Sequence, residues 1–200
     1  MHTSARLSIK SALVASAFAL GVSAIGLSAA ADESFAIEPI GMNEIVGDLI
    51  HNPSTIKWDP IGKNKRAKVV ESEGVPGGMA IQIEAKRKSK DAWDIRLRAP
   101  VEKDIASGDT LATYFWLRAA KLPKGSEAGK VDVVVQRKVD PYDQVILEEI
   151  QPTDEWKMYK VTGTAGADFP VDDTEMGFNL AKMKQTIEFG PFYTVKVASE

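Results

Sequence analysis

Within residues 91–100, "DAWDIRLRAP", apolar and polar side chains alternate from Trp93 to Arg98. Asp94, Arg96 and Arg98 alternate with apolar residues. Because successive side chains of a β-strand point to opposite faces, this alternation predicts a strand face that carries two guanidinium groups and a carboxylate. A guanidinium group is a planar fork of N–H donors that can bind a carboxylate or a pair of hydroxyl oxygens. The stretch therefore indicates a polar binding face on a sheet.

Side chains that could carry catalysis are scarce. The chain contains no cysteine, and its two histidines are His2 and His51. No G-x-S-x-G elbow occurs, and "GVPGG" at 74–78 lacks the lysine of a phosphate-binding loop. Acidic clusters such as "PVDDTE" at 170–175 leave a paired-acid glycosidase open on residue counts alone, although solvated turns explain them equally well. We therefore expect no catalytic residues and no enzymatic activity.

A sheet that could position the polar face is predicted along most of the chain. Short segments with period-two alternation are separated by clusters of Gly, Pro, Asp and Asn. One weak helical pattern covers 41–52 and predicts one or two turns. The predicted strands are 66–72, 79–86, 92–99, 110–119, 130–138, 144–151, 155–163, 175–181, 185–190 and 192–198. This spacing is typical of an all-β, two-sheet antiparallel β-sandwich with jelly-roll topology.

Jelly-roll topology also predicts which strands are neighbours. One sheet would contain, in order, the strands at 79–86, 185–198, 110–119 and 155–163, and the other those at 92–99, 175–181, 130–138 and 144–151. The inward residues of the second sheet would include Ile95, Leu97, Val133, Val135, Phe178 and Leu180. Its outward residues would be Asp94, Arg96, Arg98, Val134, Gln136 and Asn179, which form a polar surface with donors and acceptors.

The beginning of the chain has the features of a secretory signal peptide. Arg6 and Lys10 precede a run of small and apolar residues, and a small-residue cleavage pattern ends at Ala31. We predict a signal peptide over 1–31, an N-terminal segment over 32–65 that packs on the sandwich, and a carbohydrate-binding domain over 66–198. The mature form would have no membrane span and would be periplasmic or secreted.

The amino-acid composition limits the binding partners that we expect for this protein. The whole chain has a net charge of −3, and removal of the basic first segment makes it more negative. Nucleic-acid binding requires a basic surface, so we expect no nucleic-acid partner. An exported domain without cysteine has to be stabilised by packing rather than by disulfides. We expect a monomer.

Five stretches in a fixed order resemble the jelly-roll carbohydrate-binding modules attached to xylanases and related glycanases. They are "GVPGGMAIQIEA", "AWDIRLRAPV", "GDTLATYFWLRA", "EWKMYKVTG" and "MGFNLAKMKQTIEFGPFYTVKV". The resemblance implies two antiparallel sheets and non-catalytic binding of a polysaccharide or oligosaccharide in a cleft on the concave sheet. It also implies a structural calcium in many members, but this chain ends in "GPFYTVKV" where many members have a calcium-binding aspartate. We therefore expect no cofactor and leave the metal ligands unassigned.

The resemblance and the parity of the strands together nominate the binding residues. Hydrogen bonds to the sugar would come from Asp94, Arg96, Arg98, Gln136, Asn179 and Gln185, and stacking from Trp93 and Tyr142. Arg96 stands where the family often has glutamine, so two arginines on one face suggest a uronate-containing glycan. We expect Arg96→Ala to lower glycan affinity with little change in thermal stability.

Two other functions are compatible with the sequence. Some polysaccharide lyases also use a jelly roll lined by Arg, Gln, His and Tyr, although this chain has no histidine in a matching strand. A protein-interaction or adhesion module of an exported complex is the other alternative.

Overall fold

The computed structural model describes residues 47–197, and eleven strands lie within that range. They are β1 (Asp48–Leu49), β2 (Asp59–Ile61), β3 (Lys65–Glu71), β4 (Met79–Ala85), β5 (Arg96–Pro100), β6 (Thr110–Lys121), β7 (Val131–Arg137), β8 (Gln144–Ile150), β9 (Lys157–Thr164), β10 (Thr174–Asn179) and β11 (Gln185–Val197). Short 3-10 turns occupy Pro53–Thr55, Ala92–Asp94 and Val171–Asp173.

The strands form two antiparallel sheets. The six-stranded sheet has the order β3-β4-β11-β6-β9, and β1 pairs with the end of β11. The five-stranded sheet has the order β2-β5-β10-β7-β8. The predicted β-sandwich and both predicted four-strand orders are confirmed. In addition, β1 and β3 extend the six-stranded sheet, and β2 extends the five-stranded sheet.

The core lies between the sheets, and each sheet contributes aromatic rings to it. Phe178 of β10 lies 5.4 Å from Phe115 of β6 and 4.7 Å from Phe189 of β11, measured between ring centroids. Trp58, before β2, packs edge-on against Phe192 at 5.3 Å. All six predicted inward residues of the five-stranded sheet are buried. Burial of one such side chain contributes about 1.5–3 kcal/mol, so these contacts fix which face of each sheet points outward.

The helical turns predicted over 41–52 are wrong for the residues that the structure describes. Residues 48–49 form β1, which pairs with Val195 and Lys196 of β11. The backbone N–H of Ile50 donates to the carbonyl of Thr194 at 3.0 Å, and Ile50 is fully buried. Strand pairing and burial therefore override the weak helical periodicity. Residues 41–46 lie outside the described range.

The predicted strand over 92–99 is also too long at its start. Residues 92–94 form a 3-10 turn, in which the N–H of Asp94 donates to the carbonyl of Asp91 at 3.2 Å. The N–H of Ala181 donates to the carbonyl of Ala92 at 3.0 Å. These bonds hold the turn against the end of β10, so Trp93 and Asp94 precede the strand that carries Arg96.

The signal peptide predicted over 1–31 lies outside the described residues. Among residues 47–197, no helix has the length and apolar character needed to span a lipid bilayer.

Candidate functional site

The outward-facing residues of β5, β10 and β7 come together on one surface, here called the polar face. Arg96 is paired with Asn179 across the β5–β10 ladder, and Asn179 is paired with Asp132 across the β10–β7 ladder. Four residues before Asn179 on β10, Glu175 is paired with Gln136. Four of the predicted residues, Arg96, Arg98, Gln136 and Asn179, therefore lie on the same face of the five-stranded sheet.

Glu175 is the centre of the polar face. Its Oε1 atom lies 2.6 Å from Nη2 of Arg96, and its Oε2 atom lies 3.5 Å from Nη1 of Arg98. Gln136 donates from Nε2 to Glu175 Oε1 at 3.2 Å. The Glu175 side chain is only 3% exposed and that of Arg96 is 12% exposed. A carboxylate this deeply buried requires such cationic and hydrogen-bonding partners.

Arg98 is the more accessible of the two arginines. Its side chain is 38% exposed, and its Nε and Nη2 atoms lie 2.9 Å and 2.8 Å from Oδ2 of Asp59 on β2. This two-point contact fixes the plane of the guanidinium group. Arg98 therefore presents oriented donors to solvent beside the carboxylates of Asp59 and Glu175.

A glycine between these charged groups leaves room for them. Gly177 is paired with Arg98 on one side and with Val134 on the other. A Cβ atom at Gly177 would lie 2.2 Å from the carbonyl oxygen of Leu97, at φ +156°, so a larger residue cannot adopt this backbone. Val134 has outward parity and yet is fully buried.

A cavity of about 210 Å³ opens at one end of the polar face. Its lining includes Asp59, Arg98, Lys138 and Glu175. Carboxylate acceptors and guanidinium and ammonium donors thus face one small space, which is an arrangement suited to the hydroxyl groups of a sugar ring.

At the other end of the polar face, a lysine joins two carboxylates. Lys182 Nζ forms a salt bridge with Oδ1 of Asp132 and lies 2.7 Å from Oε2 of Glu149. Burial alone would lower the pKa of Lys182, but the hydrogen bonds to both carboxylates outweigh it and raise the pKa. Lys182 is therefore held as a cation.

Asn179 and its strand partner Arg96 each have a polar side-chain atom without a hydrogen-bond partner among the described residues. Asn179 is 4% exposed, and neither its Oδ1 atom nor the Nε atom of Arg96 has a hydrogen-bond partner among the described residues. An unpaired buried polar atom costs about 1–3 kcal/mol. Both atoms have essentially no solvent-accessible area, so the unmet capacity lies beneath the surface of the polar face.

The two predicted stacking residues lie beyond opposite ends of the strands. Trp93 is in the turn before β5, and Tyr142 is in the connection between β7 and β8. The two residues are 59% and 53% exposed, respectively. They do not form a single aromatic platform, but each leaves ring surface open to solvent.

Asp94 is exposed in the same turn as Trp93 and does not join the strand row of Arg96 and Arg98.

Gln185 occupies a different environment from the other predicted residues. It begins β11 in the six-stranded sheet and is 2% exposed. Its Oε1 accepts from the N–H of Lys130 at 2.9 Å, and its Nε2 donates to the carbonyls of Lys130 at 2.7 Å and Leu180 at 3.0 Å. These bonds tie together the backbones on either side of Gln185. All three bonds are to backbone groups, so they are the contacts of a structural residue.

Sequence reasoning missed several polar residues of this face. Glu175 has the same strand parity as Asn179, so the period-two pattern of β10 already contained a signal for it. Asp59 had no comparable signal, because β2 is three residues long and includes a proline. The partners of Lys182 become apparent only when β7 and β8 are paired.

No group of three or more His, Asp or Glu side chains that could hold a metal ion occurs within residues 47–197. The acidic stretch at 170–175 does not converge into such a group, and Glu175 is directed toward the arginines. The structural calcium implied by the resemblance stays an untested expectation.

Comparison with known proteins gives matches in structure but none in sequence. No protein-family model and no curated protein matches the chain. A CBM4 structure is 19% identical with a TM-score of 0.54, and the match covers 80% of this chain and 99% of that one. The CBM22-1 xylan-binding domain from Paenibacillus barcinonensis Xyn10C is 15% identical with a TM-score of 0.55, and covers 77% and 97%.

A third match is the second N-terminal cellulose-binding domain from the Cellulomonas fimi beta-1,4-glucanase C. It is 16% identical with a TM-score of 0.55, and the match covers 84% of this chain and 98% of that domain. Each structure is matched over nearly its whole length, so the likeness extends to the complete sandwich. The resemblance to jelly-roll carbohydrate-binding modules is therefore confirmed at the level of the fold.

Proposed function

We propose that this protein binds a polysaccharide or oligosaccharide on the polar face of its five-stranded sheet, without cleaving it. The observation that carries the proposal is the group formed by Arg98, Asp59 and Glu175 around the 210 Å³ cavity. Fixed donors and acceptors lie side by side there, which is the pattern that neighbouring sugar hydroxyls require. The structural likeness to xylan-binding and cellulose-binding domains supports the same function.

The aromatic residues at the two ends of the face would extend the site. Trp93 and Tyr142 are both more than half exposed, so burying either ring against the apolar face of a pyranose would remove apolar surface from water. Contacts at both ends fit a glycan of several sugar units better than a single sugar. The site would be shallow and partly wet, so affinity would be moderate.

Charge pairing on the polar face favours a neutral glycan over the uronate suggested by the two arginines. Arg96 and Arg98 are paired with Glu175 and Asp59, and Lys182 is paired with two further carboxylates. A uronate carboxylate would have to compete with these partners and approach their negative charge. Neutral hydroxyl groups can share the same donors and acceptors without that repulsion.

The polar face gives little support to a lyase. Proton abstraction requires a base within reach of the substrate. Lys182 has a raised pKa and two salt-bridge partners, so it is a poor base. His51 is buried in the contact between β1 and β11, away from this face. We therefore propose a non-catalytic module, exported by the predicted signal peptide.

The proposal is tested by affinity electrophoresis and calorimetry with neutral xylan, mixed-linkage glucan, mannan and polygalacturonate. Wild-type protein should be retained by at least one neutral polymer and release neither new reducing ends nor unsaturated products. Arg98→Gln should lower that affinity about tenfold, since it removes charge-assisted hydrogen bonds. Lys160→Gln, at an exposed position of β9 in the other sheet, removes an equal charge and should leave the affinity unchanged. Absence of retention on every polymer, or appearance of cleavage products, would refute the proposal.

A further inference from the structure

The outer face of the six-stranded sheet is rich in basic side chains, although the chain as a whole has a net charge of −3. Two adjacent rows cross β3, β4, β11 and β6: Arg66, Glu84, Thr186 and Lys121 form one, and Lys68, Gln82, Glu188 and Arg118 form the other. Directly paired residues point to the same side of a sheet, so these side chains share one surface. We call it the basic face.

A cavity of about 350 Å³ lies at the end of the basic face. Its lining includes Lys121, Lys124 and Lys184 from two neighbouring segments, and Glu84 is its one carboxylate. None of the three lysines forms a salt bridge with a carboxylate in the described part of the chain. The cavity therefore has an excess of positive charge, unlike the charge-paired polar face on the opposite side of the sandwich.

The other carboxylate of the basic face does not neutralise this excess. Glu188 accepts from Arg118 Nε at 2.6 Å, from Gln82 Nε2 at 2.7 Å and from Ser72 Oγ at 3.0 Å. Burial alone would raise the pKa of Glu188, but these hydrogen bonds and the charge of Arg118 lower it. The carboxylate is thus occupied by its own partners and leaves the three lysines available.

We infer that the basic cavity is a second binding site, which takes the carboxylate groups of an acidic polysaccharide. A chain of uronic acids carries one carboxylate on every sugar, and its charges can follow the basic residues from the cavity to Arg66 and Lys68. Exposed lysines attract such a polyanion over a Debye length of about 8 Å at physiological salt. This site is distinct from the neutral-glycan site and does not depend on it.

Other polyanions fit the same surface less well. The sequence pI of about 5.6 is far from the strongly basic value typical of nucleic-acid-binding domains. A membrane-binding surface combines basic residues with exposed apolar anchors. In the row next to Arg118, Met158 is exposed, but its strand partner Trp116 is partly buried.

The test compares wild-type protein, the triple variant Lys121→Gln/Lys124→Gln/Lys184→Gln and the control Lys57→Gln/Lys63→Gln/Lys103→Gln. Both triple variants remove three exposed lysines, so they change the net charge equally. Each is titrated with oligogalacturonate at low and high salt. Loss of the cavity lysines should weaken binding about tenfold, the scale of three exposed charge pairs, and the control should change it less than twofold. Binding should also fall steeply as salt rises.

Three results would overturn the inference: no binding of oligogalacturonate, equal loss in both triple variants, or loss only in Arg98→Gln. Vesicles containing anionic lipid are titrated in parallel, and lysine-dependent binding to vesicles but not to oligogalacturonate would make the occupant a membrane surface. The proposed function is judged separately, by the effect of Arg98→Gln on neutral polymers. Either site can therefore fail while the other holds.

Discussion

Oε1 of Glu175 lies 2.6 Å from Nη2 of Arg96, although these two residues are not opposite each other in the sheet. Arg96 is paired with Asn179, Glu175 is paired with Pro100, and Gly177 lies between Asn179 and Glu175 on the same face. The guanidinium group therefore extends along β10, past the one residue that has no side chain to obstruct it. This buried ion pair gives Arg96 a structural role in addition to any contact with a ligand.

Removal of the Glu175 charge should destabilise the fold. Glu175→Gln would leave Arg96 as a largely buried cation without its carboxylate, at a cost of about 3 kcal/mol. The free energy of unfolding, measured by urea denaturation, checks this. Glu148→Gln removes the same charge at an exposed position of β8 and should have almost no effect. An equal loss in both variants would show that the Arg96 pair is not stabilising.

For the same reason, Arg96→Ala should lower stability as well as affinity. The alternation of the sequence alone predicts an exposed Arg96, and hence little change in thermal stability. The structure places it at 12% exposure against a buried carboxylate. Its melting temperature should fall clearly below that of Arg98→Ala, whose side chain is 38% exposed. Equal melting temperatures for the two variants would contradict the structural role.

The exposed rings should contribute to binding and not to stability. Trp93→Ala and Tyr142→Ala should each lower affinity for the retained neutral polymer about tenfold, the scale of one stacked ring. Both rings are more than half exposed, so the free energy of unfolding should change by less than about 0.5 kcal/mol. Met158→Ala removes a similarly exposed apolar side chain from the other sheet and should bind normally. Retained affinity in both ring variants would place the glycan elsewhere.

Gln185 should behave in the opposite way. Gln185→Leu removes hydrogen bonds to Lys130 and Leu180 and leaves their backbone groups unpaired, at a cost of about 2–3 kcal/mol. Glycan affinity of the folded fraction should be unchanged. Gln151→Leu, at an exposed position, serves as the control for stability. If Gln185→Leu lost affinity but kept its stability, the prediction from the sequence that Gln185 binds the sugar would be correct.

His51 should make stability depend on pH in the acidic range. Burial lowers its pKa from 6.5 to about 4, while its Nε2 accepts from the N–H of Thr194 at 3.0 Å. Below about pH 6.5 the unfolded chain binds a proton that the folded chain does not bind until about pH 4. The free energy of unfolding is therefore highest above pH 6.5 and falls by about 3 kcal/mol as the pH drops to 4.

Urea denaturation from pH 7 to pH 4 measures this loss, and His51→Gln serves as the comparison. The variant has no imidazole to protonate, so the difference in stability between it and wild-type protein should narrow as pH falls. An NMR titration of the His51 ring in the wild-type protein reports its pKa directly, even if the variant folds poorly. A measured pKa near 6.5 would rule out the effect.

Local sequence patterns were sufficient for the fold class and for the faces on which Arg96, Arg98, Gln136 and Asn179 lie. Parity along a strand is a local property, so alternation in β5, β7 and β10 correctly assigned Ile95 and Phe178 to the core and Arg98 and Asn179 to the outer face. The assumption of jelly-roll topology then supplied the strand order, which a single strand cannot specify.

The tertiary structure determined the contacts that depend on strand register and on which strands are neighbours. Asp59 reaches Arg98 only because the short β2 joins the edge of the sheet, and Glu175 neutralises both arginines only because β10 lies next to β5. The three lysines of the basic cavity come from segments that are about sixty residues apart in the chain. Charge type was readable from the sequence, but charge compensation was not, because it depends on distances across strands.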